Sequence, residues 1–191
     1  LSMMAVVSIA LFLLVTILSI AMALFLIFVL DSVVRGHDLS TSKRATRALV
    51  TVIKQYKPDA KNFYDLGCAR GSLSLAIKKI LPNLEIHGVD NDIVRIFFAK
   101  LKSKILRRRI DFIKQDLFKT NVGQADVVYA YLWYDNMPSL EKKLQHELQS
   151  GTIVITNTSS FPTWQPVDAV ITCPKVSQMP NFETLFVYVK Q

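Results

Sequence analysis

The sequence predicts an α/β domain built on a seven-stranded, mostly parallel sheet closed by an antiparallel last strand, preceded by one N-terminal transmembrane helix. Three observations carry this prediction. From Met3 to Leu30 there is no charged residue, no proline and no glycine. Strand-like and helix-like segments then alternate through most of the chain, as expected when helices cover a parallel sheet. The last two β-rich segments are joined by Cys173 to Asn181, which lacks a helical period. That join suits an antiparallel hairpin better than a crossover.

The apolar run exceeds the roughly 20 residues needed to cross a hydrocarbon core. It is also longer than the apolar region of a secretory signal, about 7–15 residues, and no small-x-small cleavage site follows it. A buried core helix of this kind would need protein on every side. Residues 1–30 are therefore read as a transmembrane helix, residues 31–44 as a juxtamembrane linker and residues 45–191 as the folded domain. Arg35, Lys43, Arg44 and Arg47 follow the helix and no basic residue precedes it. The positive-inside rule then predicts a single-pass protein with its domain on the cytoplasmic side, or the matrix side in an organelle.

The formal net charge of +8 lies wholly beyond the apolar run. Its densest block is Lys100, Lys102, Lys104 and Arg107 to Arg109. This block reads as a solvated helix end or as a contact for anionic lipid headgroups. No aromatic interleaving or motif points to nucleic acid. Cys68 and Cys173 stand far apart without a CxxC, and His37, His87 and His146 show no ligand spacing. Neither a disulfide framework nor a structural metal is expected.

In order, a helix is predicted from Ser42 to Tyr56, with Ala45, Leu49, Val52, Ile53 and Tyr56 on one face. Lys57-Pro58-Asp59 ends it. A strand covers Asn62 to Leu66. A helix from Ser72 to Leu81 turns Leu73, Ala76, Ile77 and Ile80 inward and stops at Pro82-Asn83. Further strands follow at Glu85–Val89, Ile110–Lys114, Ala125–Leu132, Thr152–Thr156, Val167–Thr172 and Glu183–Val189. Helices are placed at Ile93–Leu106 and Leu140–Leu148.

Ligands of open parallel sheets bind outside the carboxyl ends of the strands. Four such ends carry small or polar residues here: Asp65 to Gly71, Asp90-Asn91-Asp92, Gln115-Asp116 and Tyr131 to Asp135. Gly67 and Gly71 allow positive φ and close approach of backbone to a ligand. The helix that starts after Gly71 points its N–H groups and positive dipole end at the same crevice. Asp90 stands where an acidic residue accepts hydrogen bonds from ribose hydroxyls. A nicotinamide site would show G-x-G-x-x-G, and this turn lacks that spacing.

The arrangement resembles class I S-adenosylmethionine-dependent methyltransferases, which are Rossmann-like, over nearly all of residues 45–191. The resemblance implies S-adenosyl-L-methionine as cofactor. It places Asp65, Gly67, Cys68, Ala69 and Gly71 around the methionine part, Asp90 and Asn91 at the ribose, and Asp116 and Leu117 at the adenine. Two residues depart from the pattern. Ala69 replaces the family's middle glycine, which crowds the cofactor or is harmless if its φ is negative. Arg70 stands where an acidic or small residue is commoner. A catalytically inactive, membrane-tethered methyltransferase-like binding module is the alternative these departures raise.

Leu140-Glu141-Lys142-Lys143-Leu144, the segment Ser160-Phe161-Pro162-Thr163-Trp164-Gln165-Pro166-Val167 and the membrane helix together look like one subgroup. These are the membrane-anchored protein-lysine methyltransferases of the ATP synthase c subunit and the adenine nucleotide translocase, with their prokaryotic relatives. This implies a lysine acceptor in a small membrane protein. A lipid or quinone acceptor fits the membrane helix and the basic block equally well. Tyr129, Tyr131, Trp133, Tyr134 and Trp164 are candidates for an aromatic acceptor pocket that lowers a lysine pKa and holds methylated ammonium by cation–π attraction. Asp135 is the candidate for orienting the amine. Alternation puts Tyr129, Tyr131 and Trp133 on one face, and core packing is the competing role for the group. No Asn-Pro-Pro-Tyr motif follows the fourth strand, which argues against the groups that methylate adenine or glutamine amides.

Overall fold

The computed structural model describes residues 3–34, 40–173 and 182–191. The chain divides into two compact units, Leu1–Asp38 and Leu39–Gln191. In the first, α1 (Met3–Val34) is a single helix of 32 residues. At 1.5 Å per residue it is about 48 Å long, more than a hydrocarbon core requires. It runs past the expected end at Leu30, so part of the expected linker is helical; Arg35, Gly36 and His37 lie outside the described residues. The Ser8, Thr16 and Ser32 hydroxyls each donate to the carbonyl four residues earlier. Such bonds let hydroxyls sit on a helix without help from water.

The second unit holds α2 (Lys43–Tyr56), β1 (Asn62–Leu66), α3 (Ser72–Ile80), β2 (Glu85–Asp90), α4 (Ile93–Ile105), β3 (Asp111–Lys114), β4 (Val127–Ala130), α5 (Met137–Glu147), β5 (Ile153–Asn157), β6 (Asp168–Ile171) and β7 (Thr184–Val189). A 3₁₀ turn, Tyr134–Asn136, precedes α5. The seven strands form one sheet in the order β3-β2-β1-β4-β5-β7-β6. β7 runs antiparallel to both β5 and β6, and the other pairs are parallel. The strand order reverses between β1 and β4, which sets the ligand crevice at their carboxyl ends.

Register assigns the faces. Asp65 pairs with Gly88 and Tyr129, Gly88 with Phe112, and Tyr129 with Ile155. These residues share one face, covered by α2, α3 and α4. Leu49, Ile53, Phe63, Ile77, Tyr129 and Ile155 form its main cluster, and Cys68, Ile96, Ala99 and Phe112 a smaller one under α4. The opposite face packs Leu66, Val128, Val154 and Tyr188 against Met137, Leu140 and Leu144 of α5. No helix joins β3 to β4 or β5 to β6; Val122, Phe161 and Trp164 from those loops complete this second core.

The local chemistry explains the boundaries. Ser42 caps α2 by accepting the Ala45 N–H, and Asp92 caps α4 by accepting the Val94 and Arg95 N–H groups. The α2 face is as expected, with Ala45, Leu49, Val52 and Ile53 buried. The α3 face is rotated from expectation. Ile80 is 44% exposed, whereas Ser74 and Leu75 are buried, because Ser74 is drawn inward by a hydrogen bond to Asp65. β4 is shorter than its apolar run: Ala125 belongs to a turn closed by its N–H to the Val122 carbonyl, and past Ala130 the neighbouring strands no longer pair with it. α5 begins three residues early, at Met137, because Pro138 in a first turn costs no hydrogen bond.

Candidate active site

The crevice is framed by the turn after β1. Gly67, Ala69 and Gly71 all have positive φ, +81°, +47° and +70°. The Gly67 and Cys68 N–H groups both donate to the Val89 carbonyl, and the Gly71 N–H closes the turn on the Cys68 carbonyl. A side chain at Gly67 would stand 2.8 Å from the Leu132 side chain. The backbone therefore faces the crevice without obstruction only with glycine there.

Asp90, at the end of β2, ties this turn to the next. Its Oδ2 accepts the Ala69 N–H at 2.9 Å and its Oδ1 the Asp92 N–H at 2.9 Å. Asn91 stands exposed between Asp90 and Asp92. The Gln115 N–H donates to the Asp90 carbonyl, which brings the end of β3 alongside. There the Asp116 carboxylate accepts the Phe118 N–H at 2.9 Å and is half-buried. Asp90, Asn91 and Asp116 thus gather at one end of adjacent strands with the glycine turn.

The other cofactor candidates lie differently. Asp65 is buried and turned away from solvent. Its Oδ2 accepts the Ser74 hydroxyl at 2.5 Å. Burial pushes its carboxyl up to about 6, against the Ser74 hydrogen bond and with the Asp90 charge adding to the rise. Asp65 anchors the start of α3 from below. Cys68 contributes backbone while its side chain packs with Ile96, Ala99 and Phe112. Leu117 packs against the α5-face core. Arg70 is buried, and its carbonyl accepts from Lys102.

Ala69 carries the condition set by its sequence, and its φ is not negative. An L-residue there stores about 1 kcal/mol of left-handed strain. Ala69→Gly is expected to raise the unfolding free energy by about 0.5 kcal/mol, since glycine also gains entropy in the unfolded chain. Denaturant unfolding measures it, and a fall in stability would show that Ala69 is unstrained.

The five aromatic candidates differ in burial and in the core they join. Tyr129 is core. Its hydroxyl lies 2.7 Å from the Thr41 Oγ1 and accepts from the Asn157 Nδ2 at 3.1 Å, and burial raises its ionisation well above the ordinary phenol range. Tyr131 is half-buried on the same face. Trp133 and Tyr134 are 65% and 78% exposed just beyond, with Asp135 exposed beside them. Trp164 belongs to the opposite core, stacked on Phe161 at 5.6 Å and tilted against Tyr188 at 5.3 Å. Its loop is clasped by the buried Glu141 of α5, which accepts the Thr163 N–H, the Thr163 hydroxyl and the Trp164 N–H. Sequence reasoning missed Asn157, Ser74 and Gly88, and quoted Glu141 in the Leu140–Leu144 segment without its role as a clasp. Only Asn157, a polar residue ending an apolar strand, carries a sequence signal. Among the described residues no His/Cys/Asp/Glu group has metal-site geometry.

The fold is that of known methyltransferases. An RNA methyltransferase from Salinibacter ruber, solved with S-adenosyl-L-homocysteine, superposes with a TM-score of 0.69 at 20% identity, covering 79% of this chain and 93% of that one. A magnesium protoporphyrin IX methyltransferase from Synechocystis PCC 6803, solved with bound SAM, gives 0.58 at 14% identity over 81% and 87%. The sheet order, with its antiparallel β7, and the crevice at the β1/β4 switch define a class I methyltransferase. Residues 65–168 match the family model of the ANTKMT methyltransferase domain. The chain belongs to that family and is a methyltransferase. A protein-lysine N-methyltransferase from Saccharolobus islandicus (strain REY15A) is 24% identical over 151 residues, 78% of this chain and 90% of the relative.

Proposed function

We propose that this chain transfers methyl groups from S-adenosyl-L-methionine to a lysine amine of a membrane-associated protein. The observation that carries the lysine acceptor is the likeness to the Saccharolobus lysine methyltransferase, which spans the glycine turn and the strand ends around it. The membrane placement rests on α1, long and apolar enough to cross a bilayer.

When bound, S-adenosyl-L-methionine supplies a methyl group already activated by a sulfonium. The protein therefore contributes alignment, exclusion of water and a neutral amine rather than strong acid–base catalysis. The residues present suit it. The turn at Gly67 to Gly71 offers bare backbone for the amino-acid end, Asp90 an acceptor for the ribose and Asp116 one for the adenine amine. Tyr131, Trp133 and Tyr134 stand at the end of β4, where aromatic surface favours an uncharged amine and then holds its methylated cation. Asp135 is the nearby carboxylate for orienting it. Trp164 supports the opposite core and is not assigned to the acceptor.

Asp90→Ala is expected to weaken S-adenosyl-L-methionine binding at least about tenfold, since a hydrogen bond to a charged group contributes about 1.5–3 kcal/mol. Isothermal titration of the full chain in detergent measures it, and unchanged affinity would overturn the cofactor assignment. Label from methyl-tritiated cofactor in membranes reads the acceptor. Label on protein lysine supports the proposal, and label confined to the lipid extract moves the acceptor to a lipid or quinone.

A further inference from the structure

Helix α4 turns a second apolar face outward. Its inner residues, Ile96, Ala99 and Ser103, are buried. Ile93, Phe97, Lys100 and Lys104 follow one another along the outer side at helical spacing and are all exposed. Ile105, 69% exposed, and Leu106 continue the surface into Arg107 and Arg109, also exposed. From Ile93 to Ile110 there are seven basic residues and no acidic one. The next carboxylate, Asp111, points along the sheet to His87, 3.4 Å away. Not every cation is available: Arg108 donates to the Leu75 carbonyl and Lys102 to that of Arg70. Between Lys100, Lys104 and Arg107 to Arg109 lies an open cleft of about 450 Å³.

We propose that this face of α4 docks on an anionic bilayer, with Phe97, Ile105 and Leu106 entering the headgroup boundary and the cleft receiving a lipid phosphate. Aliphatic side chains interleaved with lysine and arginine suit a surface that is apolar beneath an anionic layer. A nucleic acid offers phosphate without the apolar layer, and single-stranded recognition draws on a series of stacking aromatics that this patch lacks. The consequence for function is positional. The cap of α4, Asp92, donates its N–H to Asp90 in the crevice. Docking α4 would hold the mouth of the crevice at headgroup level, where a lysine flanking a membrane segment sits.

The inference rests on the membrane placement proposed above, and its test separates the two. The full chain is reconstituted in vesicles of phosphatidylcholine alone, or with about a third phosphatidylglycerol, and lysine acetylation is followed by mass spectrometry. Lys100 and Lys104 are expected to react about fivefold more slowly in the anionic vesicles, with recovery in about 0.5 M salt, where screening shortens to about 4 Å. The exposed Lys54 and Lys142 should be unchanged. Ile105→Ser with Leu106→Ser, at exposed positions, should lose most of the protection while keeping every cation. Equal labelling of Lys100 and Lys104 in both vesicles overturns the proposal, as does protection by added polyuridylate and not by anionic lipid. Failure of the chain to float with either vesicle would instead overturn the membrane placement of α1.

Discussion

Glu141→Ala is expected to destabilise the domain by about 3 kcal/mol or more. Glu141 is buried on α5 and accepts three hydrogen bonds from Thr163 and Trp164. Alanine leaves those donors without an acceptor, and each unsatisfied buried group costs about 1–3 kcal/mol, reduced where water enters. The loop they belong to has no helix to fix it, so the clasp and the Phe161–Trp164–Tyr188 cluster are what hold the second core closed over β5. Glu141→Gln keeps one acceptor oxygen and should lose about half as much. Denaturant unfolding of the full chain in detergent, followed by Trp fluorescence, measures both. A loss below about 1 kcal/mol for the alanine variant would show that ring packing alone holds the loop.

Gly71→Ala is expected to cost about 2–4 kcal/mol and to weaken cofactor binding with it. A Cβ at Gly71 would lie 2.5 Å from the Phe112 Cζ and 3.0 Å from the Ala99 Cβ. The residue also sits at φ +70°. Left-handed strain contributes about 1 kcal/mol and overpacking about 1–3 kcal/mol. Phe112 is equally close to Gly88, where a Cβ would meet it at 2.6 Å, so the ring has no second slot to retreat into. Phe112→Leu in the Gly71→Ala background should therefore recover more than about 1 kcal/mol relative to additivity. Strictly additive losses would show that the clash is relieved elsewhere and that strain alone explains the single variant.

The gathering of Asp90, Asn91 and Asp116 beside the glycine turn was legible because these residues stand at strand ends. Asp65 to Gly71, Asp90 and Asp116 keep their sequence spacing when the parallel strands align, and the crevice follows from topology. Among these residues, roles were not legible. Asp65 and Asp90 read alike as acidic residues at strand ends, yet one faces the core and bonds Ser74 while the other joins two turns at the crevice. Which way each carboxylate faces depends on neighbours contributed by α3 and by the turn after β2. Asp92 as a helix cap was readable from an aspartate directly before a helical run.

The packing of the aromatic candidates was less legible, for a physical reason. Tyr129 lies in a strand, where period-two alternation assigns a face only relative to neighbours in the same strand, and Trp164 lies in a loop, where no alternation applies. Which face carries the crevice is decided by strand order. The loop that carries Trp164 is fixed by Glu141, over twenty residues away in the chain, and no local pattern announces such a bond.

By itself the sequence determined the apolar helix, the alternation that makes a parallel sheet, the antiparallel close and the glycine turn with its acidic partners. Each depends on local periodicity or on backbone freedom at single residues. Only the tertiary structure decided that Ala69 carries positive φ, that Asp65 is an anchor, that Trp164 belongs to the opposite core and that α4 leaves an apolar, basic face uncovered. Those properties arise from contacts between segments distant in the chain, where packing and hydrogen bonding outweigh local preference.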